Sequence, residues 1–173
     1  MNTEKIIITL FAKDRPGVIR AVSDTVLNHK GNWLESSLSR LCGQFTGIVH
    51  IEIAPSDKTN LLAAFKKLDD EGIRVTVQQT DSVIDDNQEV NGLQILVEAN
   101  DRPGIVREIA DALAAENVNI DNIDTEVESA SMAGYPIFRA HLFLAMPDDL
   151  NEDNLADVLE GVSDDVMVSI LEE

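Results

Sequence analysis

The sequence predicts an α+β chain made of two similar units. Each runs β-α-β-β-α-β, with an antiparallel sheet and both helices on one face. Three observations lead there. Asp14-Arg15-Pro16-Gly17 recurs 87 residues later as Asp101-Arg102-Pro103-Gly104. Hydrophobic spacing in both halves switches between the two-residue period of strands and the 3.6-residue period of helices. A length of 173 residues, 44% hydrophobic and 26% charged, suits two small folded domains. The units are placed at 1–80 and 91–173, with the polar, acidic stretch 81–90 as linker.

In the first unit, Ile6 to Phe11 predicts a strand over about 4–12. Val18, Ile19, Val22 and Val26 stand at helical spacing, so a helix is expected over about 16–29, ended by Lys30-Gly31. Alternation over about 33–41 sets Leu34, Ser36, Leu38 and Arg40 on one side of a strand. Cys42-Gly43-Gln44 reads as a hairpin turn into a strand at about 45–53 that uses Phe45, Val49, Ile51 and Ile53. Leu61, Leu62, Phe65 and Leu68 mark a helix at about 57–71, stopped at Glu71-Gly72, and Ile73 to Val77 close the unit.

The second unit repeats this order. Leu93 to Glu98 matches the first strand, and Ile105, Val106, Ile109 and Leu113 match the first helix. Asn119 falls where Asn32 does, at the start of a strand over about 119–128. A longer turn, Ser129 to Tyr135, leads to the strand with Phe138, Leu142 and Leu144. Leu155, Val158 and Leu159 mark the last helix, and Val166 to Leu171 the last strand. Right-handed crossovers then give a ferredoxin-like sheet of order 4-1-3-2 with its second strand on an edge. Edge strands need a partner or a blunt surface, so the two units are expected to pair edge to edge in an eight-stranded sheet.

The charge is lopsided. The chain carries −19, yet residues 1–85 hold 10 basic and 11 acidic side chains while residues 86–173 hold 3 and 21. Such a surface repels phosphate backbones, which argues against direct nucleic-acid binding and leaves a solubility surface or a face for a basic protein partner. No uncharged run approaches the roughly 18 apolar positions of a membrane span. Met1 to Lys5 runs straight into a strand with no basic flank and cleavage pattern, and the single Cys42 cannot form an intrachain disulfide; both suit the cytoplasm.

The doubled Asp-Arg-Pro-Gly is the one constellation that points to a ligand. Proline near the first helical position is preset for a helix start. Asp14 and Asp101 are expected at or beside the N-cap, and Gly17 and Gly104 permit close approach of a small molecule. Free N–H groups at a helix start suit a carboxylate, while Asp14 or Asp101 and the amide oxygens of Asn32 or Asn119 suit an ammonium. The same residues also serve a motif that merely starts and packs a helix. His29, His50 and His141 lack ligand-spaced neighbours for a metal, Cys42 and His50 are carried apart by a hairpin, and no phosphate loop is present. Trp33 reads as a core anchor. No cofactor is expected.

These residues resemble paired ACT domains, regulatory modules that commonly bind amino acids. Supporting the likeness are the two Asp-Arg-Pro-Gly turns and the asparagines opening each second strand. Ser39-Arg40-Leu41 with Gly43-Gln44-Phe45-Thr46, and Gly134-Tyr135-Pro136-Ile137-Phe138 with Met146-Pro147, are similar to the glycine cleavage system transcriptional repressor family. That resemblance implies a non-enzymatic regulator that does not itself bind DNA. It would contact a LysR-type activator and respond to a small amino acid, glycine first. The ligand positions it implies are Asp14, Arg15, Pro16, Gly17 and Asn32, with Asp101, Arg102, Pro103, Gly104 and Asn119. Serine-binding relatives place a histidine two residues before the motif's aspartate; Ala12 and Ala99 stand there instead, so serine is not favoured. An alternative is a regulatory subunit that docks on a metabolic enzyme, and homo-oligomers fit either reading.

Overall fold

The computed structural model describes residues 3–79, 91–129 and 135–171. The first unit holds β1 (Glu4–Lys13), α1 (Val18–Asn28), β2 (Asn32–Leu41), β3 (Gln44–Ile53), α2 (Pro55–Lys67), a 3-10 turn (Leu68–Glu71) and β4 (Ile73–Gln79). In the second lie β5 (Asn91–Asn100), α3 (Ile105–Ala115), β6 (Asn119–Ser129), β7 (Pro136–Met146), α4 (Glu152–Glu160) and β8 (Met167–Ile170). The linker 81–90 and residues 130–134 of the long turn, Gly134 among them, lie outside the described residues.

Strand order is β2-β3-β1-β4 in one sheet and β6-β7-β5-β8 in the other, the expected 4-1-3-2 read from the opposite edge. Every neighbour pair is antiparallel. The described strands thus form two four-stranded sheets, one in each unit.

Each unit buries its own core. Alternate residues Ile6, Ile8, Leu10 and Ala12 of β1 meet Val49, Ile51 and Ile53 of β3, with Val18, Val22 and Val26 of α1 and Leu61, Phe65 and Leu68 from the α2 region laid over them. The four-residue steps place the α1 valines on one stripe. In the second unit Leu93, Ile95, Val97 and Ala99 meet Phe138, Ala140, Leu142 and Leu144 beneath Ile105, Ile109, Leu113, Leu155 and Leu159. Burying a side chain of this size stabilises the fold by about 1.5–3 kcal/mol. Ile19 and Val106, expected on the inward stripe, stay about half exposed because they sit one step round the helix from it.

A second correction concerns β2. Its register against β3 shifts between Trp33 and Glu35, so Leu34 is the extra residue of a bulge and breaks the expected alternation. Trp33 opposite Ile51 and Ser36 opposite Val49 both stand on the core side, and Trp33 and Leu38 pack against the core. Leu34 is exposed. An equivalent shift falls between Ile120 and Asn122.

Candidate ligand-binding elbows

Both Asp-Arg-Pro-Gly segments form the elbow between the first strand and first helix of their unit. Proline does not begin the helix as expected. Gly17 and Gly104 are the N-caps, with φ of 96° and 99°, and no side chain caps either helix. Left-handed φ explains the glycines, since a Cβ there costs roughly 1–2 kcal/mol. Asp14 and Asp101 lie three residues earlier, where each pins the elbow through its backbone: the Asp14 N–H donates to the Gly43 carbonyl at 2.9 Å and the Asp101 N–H to the Pro136 carbonyl at 3.0 Å. Their carboxylates are therefore not spent on capping. Asp14 Oδ2 is 3.5 Å from Arg40 Nη1, a loose surface ion pair.

The first helical N–H bonds of each elbow belong to Ala21, which reaches Gly17 O, and to Glu108, which reaches Gly104 O. Among the described residues the N–H groups of Val18, Ile19 and Arg20 have no backbone partner. In the second unit Ile105 N–H makes a long 3.3 Å bond to Arg102 O, leaving Val106 and Arg107. Unpaired amides at a helix start form an anion-accepting end.

The two elbows differ in what surrounds them. A Cβ built on Gly17 would meet nothing within 4 Å. Above Gly104, by contrast, Glu108 Oε1 lies 3.7 Å from that point. Arg102 grips this carboxylate through both terminal nitrogens, at 2.7 Å and 2.6 Å. That hydrogen bond raises the Arg102 pKa and holds Glu108 below its ordinary value. Asp165 completes the clamp: it accepts from Ser163 Oγ at 2.5 Å and from the Asn100 N–H at 2.9 Å, which lower its pKa, aided by nearby Arg102. The first unit has Ala21 at the position of Glu108, and Arg15 instead donates to the Glu71 carbonyl at 3.0 Å. Pro16 and Pro103 are exposed at the bend.

Asn32 and Asn119 are not brought to the elbow of their own unit. Asn32 stands opposite Glu52, itself opposite Lys5, whereas the elbow follows Lys13. At about 3.3 Å per residue the separation is roughly 25–30 Å. Asn119, opposite Ala145 and hence Gly92, is equally remote from Asp101. Its Nδ2 donates to Asp121 Oδ1 at 2.6 Å. Within one unit, a ligand the size of an amino acid reaches the elbow or the asparagine, not both.

Cys42 is exposed in the two-residue hairpin, with His50 six strand residues beyond Gln44, about 20 Å along β3. Among the described residues no group of three His, Cys, Asp or Glu side chains gathers as a metal would require, and no helix is long and apolar enough to cross a membrane. Sequence reasoning missed Glu108 and Asp165. Glu108 carries a readable signal, an acid in the first turn of α3 where α1 has alanine, but Asp165 reaches the elbow only through the fold.

Two four-stranded, helix-backed units, each with an elbow of the same sequence, define a tandem of small α+β modules. Residues 4–78 and 93–163 each match a family model described as ACT domain, so the chain belongs to the ACT domain family, with two copies in tandem. Among curated proteins none matches significantly. A protein of unknown function from Galdieria sulphuraria has a similar solved structure, with a TM-score of 0.75 and 23% identity, covering 99% of this chain and 100% of its own. A candidate glycine cleavage system transcriptional repressor is similar at a TM-score of 0.76 and 18% identity, covering 100% of both chains. At such identities the likeness establishes the fold.

Proposed function

We propose that this chain is a non-enzymatic regulator that reports a small free amino acid, glycine first, to a protein partner in the cytoplasm. Its finer form is repression of glycine cleavage genes through contact with a LysR-type activator, as the whole-length similarity to a candidate repressor suggests. The observation that carries the reading is the first elbow. Its α1 amides lack backbone partners and Gly17 opens on free space, while the Asp14 carboxylate is not used as a cap. A carboxylate on the amides of Val18–Arg20 and an ammonium at Asp14 is the arrangement that chemistry favours. Pro16 shapes the bend, and Arg15 braces it through Glu71. The second elbow, Asp101 to Gly104, is a weaker candidate because Arg102 and Glu108 already satisfy each other. The −19 charge favours action through protein rather than nucleic acid.

Calorimetry with glycine at millimolar concentration tests the sensing half. Binding that Asp14→Asn weakens supports it, and the absence of heat with glycine or any other small amino acid removes it. Affinity capture from cell extract tests the output. A LysR-type activator retained in a glycine-dependent manner supports repression, whereas a metabolic enzyme retained in its place would make the chain a regulatory subunit.

A further inference from the structure

The helices cover one face of each sheet, and the opposite faces carry contrary patterns. Because Ile6, Ile8, Leu10 and Ala12 turn to the core, Ile7, Thr9 and Phe11 of β1 stand on the far side. Ile48, opposite Thr9, and His50, opposite Ile7, share that side on β3, as does Arg74, opposite Phe11, on β4. The 87-residue offset and the same pairings carry these positions to Gln94, Leu96, Glu98, His141, Phe143 and Met167. Every one is inverted. Apolar Ile7, Phe11 and Ile48 correspond to Gln94, Glu98 and His141, while Thr9, His50 and Arg74 correspond to Leu96, Phe143 and Met167.

Diagonal neighbours on a sheet face lie roughly 7–8 Å apart, within reach of long and aromatic side chains. Ile48 is diagonal to both Ile7 and Phe11, and Leu96 to both Phe143 and Met167, so each face has a connected apolar patch. Phe11, Ile48, Phe143 and Met167 are all exposed in this chain. Lone apolar side chains are ordinary on a surface, whereas connected patches mark contact sites. Charge follows the same inversion. Arg74 faces Phe11 and Lys13 follows it on the same side, neither with a carboxylate within 4 Å among the described residues. Glu35 and Glu52 lie at the other end of that face, opposite His50 and Lys5. On the second face Arg139 is bridged to Glu98 and Glu128, which leaves Asp124 and Glu126 without a cation within 4 Å among the described residues.

We propose that the open sheet face of the first unit receives the open sheet face of the second unit from a second copy of this chain. Sheets packed face to face interdigitate their side chains about 10 Å apart. Chemistry selects the pair. Two first-unit faces would set Lys13 and Arg74 against their own kind, and two second-unit faces would oppose Asp124 and Glu126. One of each lays apolar patch on apolar patch, with the cations beside the acids. The contact is heterologous, since the two copies use different surfaces. A four-stranded face about seven residues long spans roughly 19 Å by 23 Å. One such contact therefore buries on the order of 900 Å², the size of a weak, reversible association.

Sedimentation equilibrium of the full chain is the test. Between about 10 μM and about 1 mM the apparent mass should climb above the 19.0 kDa of one copy. Phe11→Glu copies Glu98 and Met167→Arg copies Arg74, so each spoils one face and spares the other. Each variant alone should weaken association about tenfold or more, because a like charge then enters the contact. A mixture of the two should associate more strongly than either, since one intact face of each kind is again present. Lys13→Glu and Glu126→Lys, both at exposed positions, form a second pair should circular dichroism show the first misfolded. The mass of one copy at every concentration overturns the proposal. So does association that neither variant weakens, which would assign the contact to strand edges or helices, or that only one weakens, which would mean that like faces pair. A mixture no more associated than its components overturns it as well.

Discussion

Single residues decide which elbow can work. Gly17 and Gly104 were legible as residues that allow close approach, but the stronger demand on them is the left-handed φ, which no side-chain pattern announces. A valine there would test backbone strain and ligand access at once. Gly17→Ala separates them: with nothing within 4 Å of the new methyl, it should destabilise the first unit by about 1–2 kcal/mol through φ alone, read by urea denaturation. At the second elbow the decisive residues are charged. Glu108 and Asp165 have pKa values below those of the unfolded chain, so their contribution to stability is complete above the ordinary carboxylate range, about pH 4. It is lost as pH falls through the lower folded values. The Asn100 amide shift in NMR should report this, titrating with a midpoint below the ordinary aspartate value. Glu108→Ala, which copies Ala21, should leave Arg102 without its carboxylate partner while keeping the depression at Asp165, whose main causes are Ser163 and the Asn100 amide.

Among the elements, the strands and helices were readable because apolar residues repeat at the right period, and duplication let each unit check the other. Two features escaped that reading. Bulges at Leu34 and between Ile120 and Asn122 arise from cross-strand register, and an uninterrupted alternation in sequence does not reveal a slipped pair. Strand direction was also needed to see that Asn32 and Asp14 sit at opposite ends of the sheet. Helix ends show what comparison of the copies offers. After α1 the chain turns at Lys30 with φ 60°, and after α3 at Asn117 with φ 56°. In both, the next amide bonds back to the helix, Gly31 to Val26 and Val118 to Leu113. Asparagine adopts this conformation more readily than lysine, while the Lys30–Asp57 pair at 3.5 Å is a surface contact of little worth. Lys30→Asn should therefore raise the stability of the first unit by about 0.5 kcal/mol, seen as a higher urea midpoint with an unchanged slope.

Across the whole molecule, one fold is written twice in two electrostatic dialects. Residues 1–85 are nearly neutral and residues 86–173 hold almost the entire −19, with equivalent cores beneath. Core packing cannot be the reason for the difference, since among the described residues every buried one in both units is apolar. The acids instead lie on the surface, where like charges repel and oppose the compact state. Raising salt from about 0.1 M to about 1 M shortens the screening length from about 10 Å to about 3 Å and removes most of that repulsion. The second unit should therefore gain more stability from salt than the first. Thermal unfolding of the full chain, followed by NMR amides assigned to each unit, measures this directly. Apparent Tm should rise further for amides of β5 and β7 than for those of β1 and β3. An equal rise in both would mean that the acidic excess is locally neutralised, as Arg139 neutralises Glu98 and Glu128 at 2.6 Å and 2.5 Å, and then it could not steer a basic partner either.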